Sequence, residues 1–215
     1  MYLLYKENTC YDNVKKGNTS VEVNYAETDL RYNNFIHSFN LYSTISKTLF
    51  STTGGDDNKL VIYDMRQDQR VTCKSHDAGV TSLKCSKNAN TLASGSYDEV
   101  LRLWDKRNWK YALEEIKLGG GVWRIKWNPN SQYILAACMH AGFKLINFST
   151  SATGSSMSTE FTYSKHDSLA YGCDWCLSDM LHDTIGRNRK LKDTKGLIAT
   201  CSFYDSKLSL WLLCS

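Results

Sequence analysis

Among the five histidines of this 215-residue chain, His140 has the setting that suits acid–base chemistry. An unperturbed imidazole titrates near neutral pH, and His140 stands at the end of the strand-like run in AACMHAGFKLINF, where a side chain projects at a rim. A histidine that only caps a turn has the same signature. Cys138, two residues earlier, falls on the same strand face, but the run Ile134 to Met139 reads as buried, which keeps a thiol protonated and inert. Cys173-Asp-Trp-Cys176 has zinc or redox spacing without a second pair to complete four ligands, so neither metal nor cofactor is expected. There is no Gly-x-Ser-x-Gly elbow, and an enzyme on this chain needs an unconventional site. Gly119-Gly120-Gly121 leads into a strand and lacks the Gly-Lys-Ser or Gly-Lys-Thr of a phosphate loop. It allows either a tight turn or close approach by a peptide.

Fixed charges lie close to these residues. Val122-Trp-Arg-Ile-Lys-Trp127 alternates, with Trp123, Ile125 and Trp127 on one face and Val122, Arg124 and Lys126 on the other. Ala170 to Trp175 is its counterpart, aligning Asp174 with Lys126 and Trp175 with Trp127. Two such strands side by side carry both charge signs, either as a structural ion pair or as ligand contacts.

The elements that position these residues repeat. Asp57 precedes Tyr63-Asp64, Asp98 precedes Trp104-Asp105 and Asp205 precedes Trp211, in each case an acid in a turn six residues before an aromatic on a strand. The acid bonds turn backbone groups and the aromatic fills a layer one strand later. Asp98 follows Asp57 by 41 residues and His140 follows Asp98 by 42, the period of WD-repeat β-propellers. The fold class is therefore all-β, with four legible blades at about 37–70, 76–112, 119–150 and 166–214, in a ring expected to be incomplete. In such repeats a loop histidine joins a strand serine, the turn acid and the aromatic. His76 is expected to do so with Ser94 or Ser96, Asp98 and Trp104, and His166 with Ser202, Asp205 and Trp211. The 65 residues from His140 to Asp205 leave room for an insertion, placed at Leu177 to Lys195, where polar and charged residues crowd without an apolar period. Residues 1–35 match poorly, although Tyr2 to Tyr5 and Val21 to Tyr25 have the character of outer strands of earlier blades.

The formal charge of +4 is modest and dispersed, which argues against nucleic acid as a partner. The opening residues lack the pattern of a signal peptide and no stretch reaches the roughly 20 apolar residues that span a bilayer. Eight cysteines, several inside strand-like segments, fit free thiols in a reducing compartment, and a soluble cytoplasmic protein with no membrane partner is expected.

The phrases GGDD (54–57), GSYDE (95–99), GGGVWRIKWNP (119–129), AACMHAGF (136–143), HDSLAYGCDW (166–175) and ATCSFYD (199–205), in this order, resemble the WD-repeat diphthine methylesterase family of diphthamide biosynthesis. Members of that family have a longer amino-terminal part with further blades. The resemblance implies a hydrolase that removes the methyl ester of methylated diphthine on the modified histidine of the diphthamide-bearing translation elongation factor, its protein partner. That substrate carries a trimethylammonium group, which aromatic faces attract by about 0.5–2 kcal/mol. On that resemblance Trp123, Trp175 and Tyr204 are candidate cage residues and Asp174 a countercharge. Arg124 would stabilise an oxyanion or the released carboxylate, and His140 would activate water. The competing expectation is a non-catalytic scaffold, since propellers commonly present a rigid rim to other proteins.

Overall fold

The computed structural model describes residues 21–23, 27–29, 34–43, 49–64, 69–86, 90–151, 154–176 and 194–214. They form antiparallel strands in four sheets. The first blade runs β3 (Asn34–Ser43), β4 (Leu49–Gly55), β5 (Lys59–Asp64) and β6 (Gln69–Ser75). Two short strands, β1 (Val21–Val23) and β2 (Glu27–Asp29), both pair with β3, with Val21 opposite Leu41 and Glu27 opposite Ile36. Val21–Val23 thus lies along an inner strand instead of forming the outer strand of an earlier blade. The second blade holds β7 (Val80–Cys85), β8 (Thr91–Ser96), β9 (Val100–Asp105) and β10 (Asn108–Lys117), and the third β11 (Arg124–Trp127), β12 (Tyr133–Ala137), β13 (Phe143–Ser151) and β14 (Gly154–Tyr163). The fourth sheet has β15 (Ala170–Trp175), β16 (Thr194–Ser202) and β17 (Leu208–Cys214). Residues 1–20 and 177–193, and with them Tyr2 to Tyr5 and most of the expected insertion, lie outside the described residues.

Burial explains the sequence pattern of each strand. The second strand of a blade is covered on both faces, so every residue of β8 (TLASGS) and β12 (YILAA) is buried. The outer strands β10 and β14 are mostly exposed and polar, which is why sequence alone ends the blades near 112 and 150 while the strands run on to Lys117 and Tyr163. The core lies between blades. One cluster joins Leu60 and Ile62 to Val80, Leu83 and Trp104; the next joins Leu101 and Leu103 to Val122, Ile125 and Trp127; a third joins Leu135 and Phe143 to Ala170, Trp175 and Ile198. Each buried Leu or Ile contributes about 1.5–3 kcal/mol, and none is buried by its own sheet alone. Blades approach closely at a repeated glycine. A Cβ on Gly54 would fall 2.5 Å from Cγ1 of Val80, and one on Gly95 would fall 2.5 Å from Cγ1 of Val122.

This packing places the inner strands β3, β7, β11 and β15 side by side in order. Because strands alternate in direction, the start of each inner strand and the turn between second and third strands share one rim. That rim carries Trp123, His140 and Tyr204. The β15–β16 connection, site of the expected insertion, leaves from the opposite rim.

Candidate functional site

In the second blade Trp104 Nε1 donates to Ser94 Oγ (2.8 Å), Ser94 Oγ lies 2.9 Å from His76 Nε2, and His76 Nδ1 lies 2.8 Å from Asp98 Oδ2. The direction of these bonds selects the neutral imidazole with its proton on Nδ1, donated to Asp98. Burial lowers the His76 pKa below its ordinary value, outweighing the opposing pull of the Asp98 carboxylate. Burial also opposes the charge of Asp98, but the N–H groups of Val100 and Asp77 and the imidazole overcome it, so its pKa is lowered. The fourth blade carries a variant of this network. Trp211 Nε1 donates to Thr200 Oγ1 (3.3 Å), which lies 3.1 Å from His166 Nε2, and His166 Nδ1 meets Ser202 Oγ at 2.5 Å. Ser202 in turn donates to Asp205. One more residue in the turn FYD than in YD sets Ser202 between histidine and acid.

The third blade has no such network. Leu118 N bonds Glu99 O at 2.8 Å as His76 N bonds Asn58 O at 2.8 Å, so Leu118 takes the place of His76. Register puts Ala136 where Ser94 stands and Ile146 where Trp104 stands. Leu118, Ala136 and Ile146 belong to one buried apolar cluster. The whole network has become hydrocarbon, and its turn position, His140, is released from it. His140 is exposed and its side chain has no hydrogen bond or ion pair among the described residues. The turn is held by its backbone instead: Ala141 N donates to Cys138 O (2.8 Å) and Cys138 N to Gly142 O (2.8 Å), with Gly142 at φ 76°.

The same rim carries a row of aromatic rings. Trp123 lies between Tyr97 and Tyr171, with ring centroids 5.9 and 4.8 Å away. Tyr171 meets Phe203 at 5.3 Å, and Phe203 meets Tyr204 at 5.1 Å with the two planes at 88°. Tyr97, Phe203 and Tyr204 are 40%, 62% and 75% exposed. The row crosses three blades because two blade positions recur. Thr81, Trp123 and Tyr171 directly follow the buried Val80, Val122 and Ala170 in GVTSLKC, GVWRIKW and AYGCDW, while Tyr97 and Phe203 sit in the turns that follow β8 and β16. Tyr97, Tyr171 and Phe203 are absent from the sequence-derived candidates. Aligning the three inner strands would have found Tyr171, but no local pattern shows that neighbouring blades set the rings in contact.

Among the sequence-derived candidates, Trp123 and Tyr204 belong to this row and Trp175 does not. Trp175 is buried, donates from Nε1 to Lys126 O (3.2 Å) and belongs to the layer between the third and fourth blades, just as Trp127 donates to Lys84 O (3.0 Å). Its ring covers an inter-blade seam and is unavailable to a cage. Asp174 forms an ion pair with Lys126 at 3.3 Å, on the part of the inner strands away from the aromatic rim. It therefore neutralises Lys126 and stands apart from the ring row. Arg124, half-buried at the start of β11, forms no hydrogen bond or ion pair among the described residues and lies close enough to Cys173 to act on its thiol. Strict alternation also fails at Trp123. Strand β11 begins at Arg124, and Val122 and Ile125 both reach Gly95.

Within the glycine run Gly119 takes a φ of 76° with open space around it, while Gly120 and Gly121 are packing positions. A Cβ on Gly120 would lie 2.3 Å from Cys138 O, and one on Gly121 would lie 2.8 Å from Met139 Sδ, so the turn holding His140 fills the space a peptide would need. Burial raises the Cys138 thiol to about 12, and the same cause raises Cys173. Cys173 is buried and Cys176 exposed, so the two thiols of the CxxC spacing face different surroundings. Among the described residues, none of the His, Cys, Asp and Glu side chains gather into a metal-binding group, and no helix is long and apolar enough to cross a membrane.

The WD domain, G-beta repeat family matches residues 67–105. Human diphthine methyltransferase is 44% identical over 128 residues, covering 57% of this chain and 28% of that protein. The diphthine methyltransferase homolog of Dictyostelium discoideum is 35% identical over 199 residues, covering 84% of this chain and 50% of that protein. The chain thus spans half or less of the length of these relatives. A chain in the crystal structure of the mitotic checkpoint complex superposes with a TM-score of 0.58 over 81% of this chain and 48% of its own length; at 21% identity the likeness is one of fold. The chain is a WD-repeat protein of the family whose curated members are named diphthine methyltransferase.

Proposed function

We propose that this chain acts in diphthamide biosynthesis by hydrolysing the methyl ester of methylated diphthine on the modified histidine of the elongation factor that carries it. The likeness to proteins named diphthine methyltransferase supports the pathway. The observation that carries the chemistry is His140, an exposed imidazole released from the turn network that occupies its position in the second and fourth blades. In this reading His140 takes a proton from water, whose oxygen attacks the ester carbonyl carbon. The tetrahedral oxyanion collapses, the bond to the methoxy oxygen breaks, and methanol leaves with the proton returned by His140. The carboxylate remains and the second proton of water goes to solvent. Arg124, at the start of β11, stabilises first the oxyanion and then the carboxylate.

The test is to incubate the chain with elongation factor bearing methylated diphthine in water enriched in oxygen-18. Hydrolysis gives loss of one methyl by mass spectrometry with heavy oxygen in the new carboxylate. Loss of methyl without heavy oxygen there points to transfer from the alkyl side, and no loss with stoichiometric chain favours the scaffold.

A further inference from the structure

We propose that the open face of the fourth sheet is an interface for a second copy of this chain, two copies closing one ring through two equivalent seams. Register sets Leu208 and Leu210 of β17 where Leu101 and Leu103 stand in the second blade and Phe143 and Leu145 in the third. Those four are sealed by the following blade and at most 1% exposed, whereas Leu208 and Leu210 are 69% and 64% exposed. Leu212 continues the same face and is also exposed, at a register position held by the polar Asp64, Asp105 and Asn147 in the three closed seams. On the other face of β17, Trp211 and Leu213 pack against the third blade. The strand is thus apolar on both sides, and one side lacks its cover among the described residues. Such a contiguous apolar stripe marks a surface built to meet protein.

The three closed seams show what covers such a face. Each cover is an inner strand with a buried apolar residue at its start and another three positions on: Val80 and Leu83, Val122 and Ile125, Ala170 and Cys173. Strand β3 has Ile36 and Phe39 at these two register positions, and no sheet precedes it among the described residues. One end of the array therefore carries a face without a cover, and the other a strand with the pattern of a cover. Within one chain the two are not joined, since Leu208 and Leu210 stay exposed. A two-fold axis joins them twice, the fourth sheet of each copy meeting the first of the other, and two sets of four sheets fall within the range of about four to eight blades in closed propellers. Strands β1 and β2 pair with the axis-side edge of β3, which suits the wide opening of a large ring. The new seam continues the chemistry of the existing ones. Cys201 lies opposite Leu208 as Gly95 lies opposite Leu101, and its exposed thiol leans on Gly172 of its own sheet, 2.4 Å from where a Cβ there would be.

The test is sedimentation equilibrium of the full chain at micromolar concentration, where a dimer is expected. Leu210→Lys puts a charge on the exposed face and should raise the dissociation constant at least about 100-fold, because symmetry repeats the change in both seams. Tyr111→Ala, on the outer strand β10, should leave it unchanged. In the unsubstituted chain Cys201 should be alkylated slowly in the dimer and quickly on dilution, read by peptide mass spectrometry with the exposed Cys176 as reference. Lys59 and Lys207 stand at the starts of the third strands of the first and fourth sheets, so lysine cross-linking of mixed light and heavy copies should join Lys207 of one to Lys59 of the other. A monomer at micromolar concentration, a dimer unmoved by Leu210→Lys, Cys201 alkylation independent of dilution, or links between Lys207 of both copies, the mark of a back-to-back contact, overturns the proposal.

Discussion

The imidazole of His140 and the imidazole of His76 show how one residue type serves two ends. His76 is fully enclosed and bonded at both ring nitrogens; His140 is exposed on a turn whose backbone holds itself. Replacing His140 by Ala is therefore expected to abolish methyl-ester hydrolysis while changing stability by no more than about 0.5 kcal/mol, measured by turnover and urea midpoint on the same preparation. Retained turnover removes it from the mechanism. For His76 the effect is on stability. Its native pKa lies below the unfolded value of about 6.5, so the unfolded chain takes up the proton first, and stability present above that pH declines as pH falls through the window down to the native pKa. Urea midpoints measured across this range should fall toward acid in the parent chain and lose that part of the slope in His76→Gln. Asp174→Asn, which breaks only a partly exposed ion pair, should cost no more than about 1 kcal/mol.

Among the elements, the turn between β12 and β13 is the one on which the site depends. Gly120 packs against the backbone of that turn, and backbone cannot swing aside as a flexible side chain can. Gly120→Ala is expected to destabilise by about 1–3 kcal/mol and to lower turnover together with stability, because the displaced turn carries His140. A variant with full turnover and a lower melting temperature would separate the two effects and refute the coupling. The second- and fourth-blade turns place a residue at positive φ after the acid, Glu99 at 69° and Ser206 at 50°, and the first-blade turn does the same with Asn58 at 64°. The acid side chain compensates by taking backbone donors: Val100 N on Asp98, Lys207 N on Asp205 and Lys59 N on Asp57. The acid of each such turn, six residues before a strand aromatic, is what made the repeat readable.

For the whole molecule the decisive fact is that every core cluster among the described residues spans two blades. Stability is then a sum of blade terms and nearest-neighbour seams. Trp175→Ala, in the seam between the third and fourth blades, should cost about 3–5 kcal/mol, and its cost should add to that of Gly95→Ala in the preceding seam within about 0.5 kcal/mol. Marked non-additivity in urea denaturation would mean that the seams are coupled more tightly than the packing indicates. The same architecture brings distant residues together, since Tyr97 and Trp123, 26 positions apart in sequence, and Trp123 and Tyr171, 48 apart, meet only because successive blades stand side by side.

The sequence alone determined the repeat, the all-β class, the polar network of the second blade and the singular position of His140, because turn chemistry and strand period are local and recur within each blade; for the fourth blade it named His166, Ser202, Asp205 and Trp211 but not Thr200, which links Trp211 to His166. It placed Arg124 and Asp174 on neighbouring inner strands for the same reason. Which aromatic stands on the rim and which seals a seam was decided by tertiary structure. The irregular backbone before Arg124 turned Trp123 out to the rim, regular pairing carried Trp175 into the core, and Asp174 met Lys126 across two blades. Such outcomes depend on packing between sheets, and a single strand's sequence does not encode its neighbour's side chains.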